Sequence, residues 1–173
     1  GAGGTLGVDA AVSLGAGDLV LNAGAATTQT ATITAAGLSM LGSGSYALTL
    51  AGNDLDTVAA NTSGQIALRD TDNLTIGTVV GTVGITTTGA NVSLQTGTTL
   101  SIDDDIGLGG ADLEISAGGA VSQVAGDSIV AGGLELLGTG TFTLADANND
   151  VDILAAAPTS SVTFRDLDGF SIG

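Results

Sequence analysis

The chain has 173 residues, of which 43% are apolar, and its formal net charge is −16 from 18 acidic residues against two arginines. This apolar content excludes an ordinary disordered tail. The charge excludes binding to nucleic acid or to an anionic membrane surface, because both need clustered Lys and Arg. No apolar run reaches the roughly 18 residues of a membrane helix, so we expect no membrane insertion.

The composition predicts an all-β chain with a narrow core. Gly supplies 29 residues and proline one, while Thr and Ser are abundant. This mixture favours short strands joined by tight turns, and no segment places helix formers and apolar residues at helical spacing. The core must consist of small branched side chains, because the only aromatic residues are Tyr46, Phe142, Phe164 and Phe170.

Apolar residues separated by a single residue recur along the chain, which is typical of strands with one buried face. In chain order these pairs are Leu19/Leu21, Leu38/Met40, Ile66/Leu68, Val92/Leu94, Leu113/Ile115, Leu134/Leu136 and Val162/Phe164. Successive pairs lie 19 to 28 residues apart, which suits one coil of a parallel β-helix with two or three strands per coil. We expect the longer coils to hold an additional strand, at residues 46–50 and 73–76.

An internal repeat decides the predicted architecture. A shift of 96 residues lays residues 37–77 on residues 133–173 without a gap, with 17 of 41 positions identical. Upstream the match continues at a shift of 94, and the two-residue difference falls near Gln29 and Gln123. Because a unit of about 95 residues is too long for one coil, we predict about four coils per unit.

The predicted fold is therefore a right-handed parallel β-helix, or β-solenoid. Residues 1–99 form the first repeat unit, and residues 100–173 form a second unit that is incomplete at its C-terminal end, within one continuous solenoid. The right hand is expected because parallel crossovers almost always have it. An outer-membrane barrel would need aromatic girdles, and an immunoglobulin-like sandwich, which the unit length allows, usually carries a buried tryptophan.

Three segments carry a family resemblance, namely residues 46–60 (YALTLAGNDLDTVAA), 66–77 (IALRDTDNLTIG) and 112–119 (DLEISAGG). They resemble the repeat regions of filamentous haemagglutinin-like bacterial surface proteins. The resemblance covers nearly the whole chain. It implies a long right-handed parallel β-helix, secreted by Gram-negative bacteria and used in adhesion and biofilm cohesion.

Two equivalent acidic motifs each follow one of the two arginines. Their residues are Arg69, Asp70 and Asp72 in the first unit, and Arg165, Asp166 and Asp168 in the second. We interpret all six as structural residues. The arginines are expected to pair with carboxylates on adjacent coils or outer loops, because they are the only cationic side chains in an acidic chain.

Calcium is the candidate ligand of two oxygen-rich clusters, although no cofactor is required. The residues are Asp103, Asp104 and Asp105, and Asp146, Asn148, Asp150 and Asp152. Hard cations prefer such oxygen ligands. Neither cluster has EF-hand spacing, and the competing interpretation is that these side chains bond their own turn backbone.

Catalysis is restricted to carboxylate chemistry, because the chain has no His, Cys or Lys. We predict no enzymatic activity. The enzyme alternative is a polysaccharide-degrading β-helix that uses Asp103, Asp104 and Asp105, or Asp166 with Asp168, as acid and base.

The predicted function is that of a structural or adhesive extracellular fibre segment, located at a bacterial cell surface or in a biofilm matrix. The alternative is a calcium- or carbohydrate-binding module on the same scaffold. Expected partners are a host-cell or matrix surface, a continuation of the repeat, or a second copy. End-to-end self-association is expected because strand edges at residues 19–21 and 164–172 have nothing in the sequence to cap them.

Overall fold

The computed structural model describes residues 3–173, and every regular element in that range is a β-strand. Twenty strands form one sheet of parallel pairs and two form a separate antiparallel hairpin. No helix in the described range could cross a membrane. The predicted all-β solenoid is confirmed.

The first unit contains strands β1 to β13. They are β1 (Leu6–Val8), β2 (Val12–Ser13), β3 (Asp18–Ala23), β4 (Thr27–Gln29), β5 (Ile33–Gly42), β6 (Tyr46–Leu48), β7 (Asp54–Thr62), β8 (Ile66–Arg69), β9 (Leu74–Ile76), β10 (Thr78–Val79), β11 (Thr82–Val83), β12 (Ile85–Thr87) and β13 (Val92–Thr96).

The second unit contains strands β14 to β22. They are β14 (Leu100–Ile102), β15 (Ile106–Gly107), β16 (Asp112–Ala117), β17 (Val121–Gln123), β18 (Ile129–Gly138), β19 (Phe142–Leu144), β20 (Asp150–Ala156), β21 (Val162–Phe164) and β22 (Ser171–Ile172).

Column 1 is the stack of strands that runs through the whole solenoid. It joins β1, β4, β6, β8, β13, β16, the second part of β18, the second part of β20 and β22. Its inward residues are, in order, Leu6, Thr27, Tyr46, Ile66, Val92, Leu113, Leu134, Leu154 and Ile172. These positions define eight coils of about 21 residues, the longest of which runs from Ile66 to Val92.

The 28-residue spacings seen in the sequence are wrong as coil lengths. Leu38 lies in the second part of β5, in a different column from Ile66, so the distance between them is not one turn. Residues 46–48 are the column 1 strand of an ordinary coil rather than an additional strand.

Two further columns complete the first three coils. Column 2 joins β2 to residues 33–35 of β5 and 54–55 of β7. Column 3 joins β3 to residues 37–42 of β5 and 57–62 of β7. Each long strand therefore bends from one face of the solenoid to the next.

The arrangement of columns changes at the fourth coil. Column 2 ends above Leu55, whereas the wide column 3 splits, since β9 pairs with residues 57–58 and β12 pairs with residues 60–62. Column 3a continues from β9 through β14, β17, β19 and β21. Column 3b continues from β12 through β15 and the first parts of β18 and β20. The solenoid thus keeps three columns.

We call this change, in which column 2 ends and column 3 splits into columns 3a and 3b, the exchange of columns. The second unit repeats the exchange of columns, with each strand placed one column further on. Leu6 lies in column 1, but its repeat equivalent Leu100 lies in column 3a of the fifth coil. The equivalents of column 2 lie in column 3b, and those of column 3 lie in column 1. One unit therefore spans four and one third coils. After one unit the cross-section is the same, but each group of equivalent strands lies on the next face of the solenoid.

The core is a continuous ladder of Leu, Ile and Val side chains with few large residues. Tyr46 and Phe142 are its largest members and occupy equivalent positions. The Tyr46 hydroxyl donates to the carbonyl of Leu41 or Leu21 and accepts from the Ala23 N–H, whereas Phe142 has no hydroxyl to satisfy. Close packing of small inward residues matches the narrow core predicted from the composition.

Candidate functional site

The corner between columns 1 and 2 holds a pair of side-chain amides, of which Asn53 is fully buried and Gln29 is half-buried. The Gln29 Nε2 donates to Asn53 Oδ1 at 2.8 Å, and the Asn53 Nδ2 donates to Gln29 Oε1 at 2.9 Å. Asn53 Oδ1 also accepts the Ile33 N–H, and Asn53 Nδ2 donates to the carbonyls of Leu48 and Arg69. One fully buried side chain therefore joins three successive coils.

Gln123 and Asn149 build the same corner in the second unit. Gln123 Nε2 donates to Asn149 Oδ1 at 2.6 Å, and Asn149 Oδ1 accepts the Ile129 N–H at 2.8 Å. The Asn149 amide donates to the carbonyl of Arg165 at 3.2 Å. The two-residue difference between the units lies in the adjacent loop, where residues 124–126 replace Thr30, so the predicted place of the insertion is confirmed.

Asp70 ends column 2 by taking the place of the next strand. Its carboxylate accepts the Leu55 N–H at 2.8 Å and the Asp72 N–H at 3.0 Å. Asp166 does the same in the second unit, where it accepts the Val151 N–H at 3.0 Å. A buried strand N–H without an acceptor would be costly, so these two carboxylates make the exchange of columns possible.

Asp70 and Asp166 differ in burial, although their contacts match. Asp70 is 1% exposed because later coils cover it, whereas Asp166 is half-buried. Desolvation raises the pKa of Asp70 from 3.8 to about 6, with Asp72 and Asp54 adding repulsion and the two backbone N–H groups opposing the shift. The column-ending carboxylate is therefore stabilised by hydrogen bonds but penalised as a charge.

The two arginines contact this network through their backbone. The carbonyls of Arg69 and Arg165 accept from the buried Asn side chains. The charge of Arg165 also contributes to lowering the pKa of Asp146, which agrees with an electrostatic role. Pairing of the Arg69 guanidinium with a carboxylate stays a prediction.

Asp72 and Asp168 lie at the turns that follow the column-ending residues Asp70 and Asp166. Their backbone N–H groups donate to the carboxylates of Asp70 and Asp166 respectively. Both side chains are exposed, so within this motif it is the backbone of the second aspartate that has a defined partner.

The three consecutive aspartates of the first predicted calcium cluster point to different partners. Asp103 Oδ1 accepts from Ser101 Oγ, and Asp104 Oδ2 accepts from Thr78 Oγ1 at 2.8 Å. Asp105 Oδ1 accepts from Ser128 N and Oγ at 2.6 and 2.9 Å. Each carboxylate therefore accepts hydrogen bonds from a different turn or adjacent coil.

The second predicted cluster is divided between a turn and a strand. Asp146 accepts the N–H groups of Gly126 and Asn148 at 2.7 and 2.8 Å, which lowers its pKa. Asp150 and Asp152 lie on β20, where Asp152 is exposed. The structure therefore does not gather these residues around one point.

No group of three or more acidic side chains in residues 3–173 is arranged to hold a metal ion. The pKa of Asp127 is raised, first by desolvation and then by repulsion from Asp105, Asp104, Asp103 and Asp146. Calcium binding stays a prediction.

A groove of about 550 Å³ runs along the outer surface of column 1. Its floor is formed by outward side chains in register, in the order Thr28, Ala47, Ala67, Ser93, Glu114, Glu135 and Ala155. The first four are small, and the two glutamates are direct neighbours on adjacent coils. Ser93 Oγ donates to Glu114 Oε1 at 3.2 Å.

The amide pairs and the groove were not predicted as sites. The signal for the amides was present, because Asn53 and Asn149 are identical in the repeat and Gln29 and Gln123 flank the insertion. Comparison with protein-family models, curated proteins and solved structures finds no match. The fold and these contacts therefore carry the functional argument.

Proposed function

We propose that this chain is a segment of a structural, adhesive fibre at a bacterial cell surface or in a biofilm matrix. The observation that supports the proposal most is the exchange of columns. After each unit the solenoid has the same three-column cross-section, so another unit can follow on the next face without distorting its neighbours. Nearest-neighbour stacking of this kind is the principle on which extended repeat proteins are built.

The charge distribution agrees with this proposal. The interior is an apolar ladder, and Asp70 is the one acidic residue of the described range that is buried, so nearly all of the net charge of −16 lies on the surface and in the turns. A strongly charged surface keeps neighbouring fibres apart in solution. Attachment to host or matrix surfaces, and end-to-end association at exposed residues such as Ile172 and Leu167, belong to the same proposal.

Chains of graded length test the fibre proposal. Residues 37–132 form one 96-residue unit whose insertion before Gly133 joins equivalent positions. Four and one third coils spaced about 4.8 Å apart add about 21 Å to the solenoid. Small-angle scattering should show the maximum dimension growing by this amount for each of one, two and three inserted units at constant cross-section. A radius that grows in all directions would contradict a fibre.

Carbohydrate binding is the alternative function, and the groove over column 1 is the surface that favours it. Concave surfaces with a few polar groups are usual ligand sites, and Glu114 and Glu135 supply acceptors for sugar hydroxyls. Calorimetric titration with neutral oligosaccharides tests it. Saturable binding that is lost in the Glu114→Ala variant, but kept in an Asp9→Ala variant on another surface, would favour this alternative.

A further inference from the structure

The hairpin β10–β11 covers the outer face of column 3 just where that column splits. Val79 of the hairpin is 3% exposed, and beneath it Ser39 and Ala59 are 1% and 0% exposed. Ser39 Oγ and Thr82 Oγ1 are hydrogen-bonded at 2.8 Å. A Cβ on Gly37 would come within 2.8 Å of Val79 Cγ1, so the hairpin packs directly on the strand backbone.

The equivalent surface of the second unit is open. Position 135 corresponds to Ser39, and Glu135 is exposed. Ile153, which corresponds to Thr57, is 49% exposed, and Ala155, which corresponds to Ala59, is half-buried. These residues line the C-terminal end of the groove over column 1.

We propose that this open surface is the docking site of a β-hairpin of the Thr78–Val83 type, supplied by another copy of the repeat segment that contains this hairpin. The inference rests on the proposed fibre function and deepens it, because it names a contact by which the hairpin segment of a repeat unit clamps the coils that come before it. It rests on the internal repeat: the same residues of the first unit are covered by a hairpin that begins one residue after Gly77, and Gly173 is the equivalent of Gly77.

The chemistry of the surface defines its occupant. A Cβ on Gly133 would have only Asp112 atoms as its three nearest neighbours, whereas a Cβ on Gly37 meets Asp18 and Val79. The position of Val79 is therefore open in the second unit, and the exposed Ile153 adds apolar contact area. Glu135 is an acceptor when ionised, whereas Ser39 can donate or accept. The docking hairpin must therefore place a donor opposite position 135, and a threonine or serine hydroxyl at the position of Thr82 meets this requirement.

Single cysteines report on the surface without background, because the chain has no cysteine. Ser39→Cys and Glu135→Cys are the matched pair, and Ala47→Cys on the exposed part of column 1 is the control. The extended chain carries a copy of residues 78–108 after Gly173. A second extended chain carries the same residues in scrambled order. The rate of thiol modification is measured for each cysteine in each chain.

The proposal predicts fast modification of Glu135→Cys in the 173-residue chain and a rate at least about tenfold slower in the extended chain, as expected for a site that opens only locally. Ser39→Cys should be slow in both and become fast when residues 78–83 are replaced by one glycine. Ala47→Cys should react equally in all chains. An unchanged rate for Glu135→Cys in the extended chain, or equal protection by the scrambled extension, would overturn the proposal.

The failure of this contact and the failure of the fibre are distinguishable. A chain that lengthens by about 21 Å per inserted unit, yet leaves Glu135→Cys reactive, is a fibre without the clamp. Protection of Glu135→Cys by a polysaccharide, combined with no protection by the extension, would overturn the hairpin and assign the groove to carbohydrate.

Discussion

The Asp70 carboxylate accepts a hydrogen bond from the backbone N–H of Leu55, 15 residues earlier in the chain, at 2.8 Å. In the first coil, the corresponding N–H, that of Leu14, donates to the backbone carbonyl of Thr34 in the next coil. One side chain therefore replaces a strand and ends a column. Without such an end, the split of column 3 would create a fourth column and a different cross-section.

Removal of the Asp70 carboxylate should destabilise the fold. Asp70→Ala leaves the buried Leu55 N–H without an acceptor, which typically costs about 1–3 kcal/mol of unfolding free energy. Asp166→Ala is the matched control, and its cost should be smaller because water reaches the half-buried Asp166. Urea unfolding of both variants at pH 5 compares them. Equal losses of unfolding free energy in the two variants would mean that the burial of Asp70 does not matter.

The raised pKa of Asp70 predicts a specific pH dependence of stability. Its folded pKa of about 6 lies above the ordinary 3.8, so between these values the folded state binds more protons than the unfolded state. The contribution of Asp70 to stability therefore falls as pH rises through this window and is lowest above pH 6. The unfolding free energies of wild type and Asp70→Asn, measured from pH 4 to 8, should differ in slope there. Parallel curves would rule out a raised pKa.

Replacement of Thr27 by valine, the residue at the equivalent position of the second unit, should stabilise the folded protein. Its hydroxyl is fully buried in the core and has no hydrogen-bond partner, and the equivalent residue is Val121. Thr27→Val keeps the shape and removes a desolvated hydroxyl, so we expect a gain of about 1 kcal/mol. Val121→Thr is the reciprocal change and should lose a similar amount. Thermal unfolding measures both, and a loss in the first variant would show that the hydroxyl is satisfied.

Val80 is strained at the tip of the hairpin. It has a positive φ of 48°, and Gly81 follows with 81°, the conformation of a two-residue turn that favours Asn-Gly. Left-handed backbone costs a β-branched residue about 1–2 kcal/mol. Val80→Asn should therefore close the hairpin more tightly and slow the modification of Ser39→Cys severalfold. Val83→Asn, at an exposed position of ordinary φ, is the control, and no difference between the two would exclude strain as the cause.

The solenoid and its repeat could be predicted from the sequence because alternation identifies strands with one buried face, and identities such as Arg69 with Arg165 fix the equivalence of the units. The column that each strand joins could not be predicted from the sequence. Leu38 and Ile66 both show an apolar pair, but the column that each joins depends on how every coil closes. From the apolar spacing alone, a step between two different columns was therefore interpreted as one long coil.

The site residues divide in the same way. A structural role for Asp70 followed from its recurrence, but its bond to Leu55 did not, because an aspartate after a strand usually serves its own turn. The hairpin was missed because its turn contains Val80 in place of the usual Asn or Asp. The calcium clusters were predicted from local density of oxygen ligands, whereas their carboxylates are used separately by different coils.

The exchange of columns is tested most directly by the helical symmetry of a long array of the unit. Electron cryomicroscopy of a chain with ten copies of residues 37–132 should show a rise of about 21 Å per unit. Each unit should be rotated by about one third of a turn, because its roles move to the next of three columns. The hairpins should then return to the same face only at every third unit. A single row of hairpins along one face, with almost no rotation between units, would contradict a unit of four and one third coils.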